Sequence, residues 1–118
     1  MQLTITAPSI LVCTRAIDFR KSIDGLVDVV LSDFDQDPRA HIFVFYNRSR
    51  DKVKILAWHK TGFVLLLKRL EQGKFEFSDH HQADHTVAIT QQQLSWLLAG
   101  LDWIKMSHWG ELEYRDFR

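Results

Sequence analysis

Cysteine is almost missing: Cys13 is the only one in 118 residues. No intrachain disulfide can form, a secreted disulfide framework is excluded, and a reducing cytoplasm is the expected setting. Long apolar runs are missing too, since no uninterrupted stretch approaches the ~20 residues needed to cross a bilayer. The opening MQLTITAPSI lacks the charged start and apolar core of a signal peptide. Net charge is absent as well, with 15 Lys/Arg against 15 Asp/Glu. A neutral chain lacks the long-range pull of a strongly basic nucleic-acid binder. Neither an internal repeat nor a low-complexity tract is present. What remains, at 46% apolar and 25% charged, is the composition of one ordinary globular domain, able to bury about two thirds of its unfolded-chain surface.

The neutral total conceals an uneven distribution. Between Phe43 and Phe77 the chain reads FVFYNRSRDKVKILAWHKTGFVLLLKRLEQGKFEF, with eight Lys/Arg against three acids. Three strands are expected here, over His41 to Tyr46, Val53 to Trp58 and Phe63 to Leu70, divided by the turn-like NRSRD and HKTG. The first is apolar on both faces, as a covered central strand is. In the second, Val53, Ile55 and Ala57 face one way and Lys52, Lys54 and Leu56 the other, so one end of that face is wet. EQGK is read as a turn into a fourth short strand, Phe75 to Phe77.

On either side of this meander the periodicity changes. Ile10 to Thr14 suits a first strand, after Pro8. Apolar residues at Ile23, Leu26, Val27, Val30, Leu31 and Phe34 form one helical stripe, with Asp18 or Ser22 as cap and Pro38 beyond its end. Late in the chain TVAIT is strand-like. Thr90 with Gln93 then forms a capping box before Leu94, Leu97, Leu98 and Leu101, and Gly100 lies near that helix's end. The expected architecture is α+β: a single compact domain over 1–104, with an antiparallel sheet of four to six strands, two main amphipathic helices, and a C-terminal tail over 105–118.

Three blocks in order, DFRKSIDGL from Asp18, the meander itself, and TQQQLSWLLAGLDW ending at Trp103, make this chain resemble the TnpB accessory proteins of insertion sequences of the IS-sixty-six class. That family is distinct from the RNA-guided nuclease of the same name. The resemblance spans roughly Ser9 to Trp103. It carries over Asp18, Arg20, Lys21, Gly25 and Leu26; Phe45, Arg48, Lys54, Leu56, Trp58 and Gly62; and Lys68, Arg69, Leu70, Glu71, Gly73 and Phe75. His59 stands where the family usually has an acid, and Phe77-Ser78 where it has Trp-Pro. The resemblance implies a non-catalytic accessory factor of transposition, encoded beside a separate transposase.

For binding, the residues singled out are Arg20, Lys21, Arg48, Arg50, Lys52, Lys54, Lys68 and Arg69. Arg20 and Lys21 are read into the first turn of the first helix, where they oppose the dipole and sit beside free N–H groups. If the strands pair in sequence order, the others share one end or face of the sheet. Phosphate contacts need only charge and reach, so DNA binding without sequence reading is the expectation. The alternatives are a solvated rim with edge lysines, or a surface that docks the transposase and leaves DNA alone. Tyr46, Trp58 and Phe63 are candidate stacking platforms, though such aromatics are usually core. Asp79, His80, His81, Asp84 and His85 crowd one polar loop without fixed geometry or an evident fourth ligand, so no metal or other cofactor is expected. The acids Asp28, Asp33, Asp35 and Asp37 gather where the first helix meets solvent. No converging carboxylates, nucleophile or base are recognisable, and an enzyme is not expected.

Overall fold

Strand β1, Ile10–Cys13, lies parallel to β2, Ile42–Tyr46, with Ile10 beside Ile42 and Val12 beside Val44, in a computed structural model that describes residues 4–5, 7, 9–77 and 85–107. A parallel pair needs a crossover, and the ten-residue helix α1, Ile23–Ser32, provides it. The remaining pairings are antiparallel. β2 continues into β3, Lys52–His59, and β4, Gly62–Arg69, while β5, Thr86–Ile89, returns beside β1. The order across the sheet is β4-β3-β2-β1-β5. The α+β class and the five-stranded, mostly antiparallel sheet are as expected, with β1–β2 as the one parallel pair.

Alternation along the central strands builds two separate cores. Leu11, Cys13, Phe43, Phe45 and Leu56 face α1 and pack with Leu26, Val29, Val30 and Phe34. Val12, Val44, Tyr46 and Val53 face the other way and pack with Phe75, Phe77, Leu97 of helix α2, Gln91–Leu98, and Trp103 of the short helix α3, residues 103–107. β2 is covered on both sides, as its unbroken apolar sequence requires. Among the described residues, no helix is long and apolar enough to cross a membrane.

The helix boundaries follow local chemistry. Ser22 is the N-cap of α1 by position, yet its hydroxyl caps nothing. Asp18 instead orders the preceding turn, its carboxylate accepting from the Arg20 N–H. Arg20 and Lys21 therefore precede the helix, and the expected placement in its first turn is corrected. α1 stops at Ser32, six residues before Pro38. The chain turns away through Asp35 at φ +51°, so a left-handed residue and not the proline ends it. At α2 both halves of the capping box form: the Thr90 side chain accepts from Gln93 N–H, and the Gln93 side chain from Thr90 N–H. Gly100, at φ +76°, then reverses the chain.

The expected fourth strand at Phe75–Phe77 is corrected. These residues join no sheet. Gly73, at φ +80°, turns the chain off the β4 edge, and Phe75 N–H donates to Arg50 C=O at 2.7 Å. Phe77 stacks on Tyr46 with centroids 3.9 Å apart. Burying two phenylalanines against the second core, each worth about 1.5–3 kcal/mol, outweighs ladder hydrogen bonds that pair about as well with water in the unfolded chain.

Candidate nucleic-acid interface

The β2–β3 connection is a stiff turn built around Asn47. Its side-chain oxygen accepts from Lys52 N–H at 3.0 Å, its amide donates to Asp51 at 2.6 Å, and its carbonyl accepts from Arg50 N–H. The Asn47 amide, followed by the Lys52 charge, lowers the Asp51 carboxyl below its ordinary pKa. Arg50 takes the left-handed conformation at φ +60°. This geometry pushes Arg48 and Ser49 into solvent at the tip. Arg48 makes no hydrogen bond or ion pair with any described residue.

Arg48 stands on the rim shared by two open clefts at the carboxyl ends of β1 and β2. The first, about 470 Å³, is walled by Thr14, Arg15 and Ala16 leaving β1, by Tyr46, Arg48 and Arg50, and by His85 before β5. The second, about 580 Å³, runs from Ala16 and Asp18 to Asn47 and Ser49. Backbone bonds hold the walls together: Ile17 N–H donates to Tyr46 C=O and Thr14 N–H to His85 C=O. Adjacent carboxyl ends of parallel strands are where open α/β sheets commonly place ligands. Three guanidiniums, one without a carboxylate or backbone partner, suit a phosphate oxygen, which arginine binds through paired N–H groups. Arg15 shares its charge with Asp33 through an ion pair. Arg50 lies over the Tyr46 ring and reaches the Phe77 carbonyl.

The eight cations singled out in the sequence do not form one coherent surface. Arg20 forks onto Asp18 at 2.6–3.2 Å, and those hydrogen bonds lower the Asp18 carboxyl to a pKa of about 2. Lys52 lies 3.5 Å from Asp51, and Arg69 is held by Glu71 at 3.0 Å. Lys54 lies on the α1 face, its ammonium donating to the carbonyls of Phe19 at 2.9 Å and Lys21 at 2.7 Å, above the Phe19 ring. Lys68, on the opposite face, donates to the Leu98 carbonyl at the end of α2, where a cation offsets the helix dipole. These two lysines are structural clasps. Lys21 is exposed, and Arg48 and Arg50 alone of the eight reach the clefts.

Arg15 and His85 are cleft residues that the sequence reading did not assign to an anion. Arg15 directly follows the first strand, but only the parallel pairing shows that it meets the β2–β3 turn. His85 stacks on Phe34, with centroids 6.1 Å apart; its loop companions Asp79, His80, His81 and Asp84 lie outside the described residues. No group of three or more His, Cys, Asp or Glu among the described residues is placed to hold a metal. Of the aromatic candidates, Tyr46 is buried, and Trp58 meets Phe63 edge-on at 5.0 Å. Tyr46 belongs to the second core, while Trp58 is half-buried and carries the Arg39 guanidinium over its ring.

Residues 8–108 match the family model described as "IS66 Orf2 like protein". The chain is 37% identical over 98 residues to the uncharacterized protein y4jC of Sinorhizobium fredii (strain NBRC 101917 / NGR234), covering 82% of each. It is 36% identical over 63 residues to the uncharacterized protein y4hO of the same organism, covering 53% of each. No solved structure matches. With its two-sided sheet and the family match along most of its length, the chain belongs to the IS66 Orf2-like family and is an insertion-sequence accessory protein.

Proposed function

We propose that this accessory protein holds element DNA by its phosphate backbone at the cleft where β1 and β2 end, with Arg48 as principal contact and Arg15, Arg50 and His85 around it. The observation that carries this reading is the partnerless guanidinium of Arg48 on a rigid turn at the rim of both clefts. Phosphate contacts need only charge and reach, so the expected binding is backbone-directed and independent of sequence. Duplex binding measured across a salt series tests it. Arg48→Ala is expected to weaken binding equally for unrelated sequences and to shallow the salt slope by about one unit. Arg20→Ala, whose charge already faces Asp18, is expected to change the slope less. Equal effects of the two variants would count against the cleft.

A second reading makes the same surface a docking site for an acidic patch of the transposase. The zero net charge and the carboxylates beside Arg20, Lys52 and Arg69 favour it, because they leave little long-range attraction for DNA. Absence of duplex binding at low salt, together with recovery of the transposase in a nuclease-treated pull-down, would select this reading.

A further inference from the structure

Strand β4 forms one edge of the sheet. Its inner side pairs with β3 along the whole of Gly62–Arg69. On its outer side, no described residue exchanges a backbone hydrogen bond with it. Such an edge is normally blunted by proline, a bulge or an inward charge. Gly62–Leu67 has none of these: its sequence, GFVLLL, is uncharged, and its pairing with β3 runs without a bulge. Leu66 and Leu67 point to opposite faces of the sheet, yet 48% and 60% of their surfaces are exposed. Each face of the edge therefore leaves one leucine substantially in water.

We propose that β4 pairs antiparallel with β4 of a second copy of this chain, joining two five-stranded sheets across a two-fold axis normal to the sheet. The charge pattern is compatible with a second copy in one orientation. Lys68 and Arg69 lie at the carboxyl end of the strand and no charge lies on the rest of it. Parallel pairing would set each cation beside its own counterpart, and like charges directly opposite are destabilising. Antiparallel pairing sends the two cationic ends apart, each onto the uncharged start of the other strand. A two-fold axis normal to the sheet keeps each face continuous, so directly opposed residues must share a face. An axis at Leu66 meets that condition: Leu66 opposes its own copy, Leu67 opposes Leu65, Lys68 opposes Val64 and Arg69 opposes Phe63. The outer backbone groups gain partners and the leucines leave water. One strand pair is a small interface, below the roughly 1,200 Å² of stable complexes, so a concentration-dependent dimer is expected.

Sedimentation velocity of the full chain at about 5 µM and about 200 µM, a range suited to so small an interface, tests the proposal. The wild type is expected to move from monomer towards dimer across that range. Leu67→Lys, at a solvated position, is expected to stay monomeric with an unchanged far-UV circular dichroism spectrum. Leu66→Cys is expected to oxidise to a disulfide-linked dimer, because opposed Cβ atoms lie about 5 Å apart, whereas Leu67→Cys, displaced diagonally from its own copy by about 7–8 Å, is not. A wild type that remains monomeric throughout would leave this edge to a strand from another protein and overturn the proposal. So would a dimer that persists in folded Leu67→Lys, or one in which Leu66→Cys fails to cross-link.

Discussion

Lys54 shows how a charged side chain can be mistaken for a ligand contact. It sits mid-strand on the α1 face, opposite Phe45, in a position that reads as a wet end of the sheet. Its ammonium instead closes on two backbone carbonyls, those of Phe19 and Lys21, and fixes the loop that leads into α1. Charge-assisted bonds of this kind are worth about 1.5–3 kcal/mol where water is excluded, and less at a half-exposed site. Lys54→Met keeps the aliphatic stem and removes the donor. It is expected to lower unfolding free energy by about 1–2 kcal/mol in urea titration, while leaving the salt slope of any DNA binding within error of wild type. A change in the slope with no loss of stability would return Lys54 to the interface. The same distinction separates Arg48 from Arg20. Both read as exposed cations, but Asp18 two residues away occupies one and the stiff Asn47 turn isolates the other.

At the scale of elements, the most legible features were those whose chemistry lies within a few residues. The Thr90–Gln93 box closes as its spacing requires, since capping needs only one turn of chain. Thr90→Ala is expected to cost about 1 kcal/mol, measured as a lower urea midpoint with unchanged slope, and to loosen α2 first in hydrogen exchange. The stripe of α1 and the strands from Ile42 to Arg69 were equally readable from their periods of 3.6 and 2. Phe75–Phe77 was not, because three alternating residues after a turn look like a strand. Their fate was decided by Tyr46 and Val53, more than twenty residues back, which offered aromatic and aliphatic surface to cover.

For the molecule as a whole, the sheet is a partition. Val30 belongs to the core under α1 and Val53 to the core under α2, both fully buried, and the two clusters share no member. Val30→Ala and Val53→Ala are each expected to cost about 2 kcal/mol, and the double variant should fall within about 0.5 kcal/mol of their sum. A large coupling energy in denaturant titrations would mean that the sheet transmits repacking from one face to the other. Local grammar sufficed for the class of fold, the helix stripes, the cap and the identity of the covered central strand. Each depends on hydrophobic period or on hydrogen bonds between near neighbours. Whether β1 lies parallel to β2, and therefore whether Arg15, Arg48, Arg50 and His85 share one cleft, depended on long-range pairing. Which cations stay available was likewise a tertiary matter, since the carbonyls and carboxylates that claim the others are brought within reach only when the chain closes on itself.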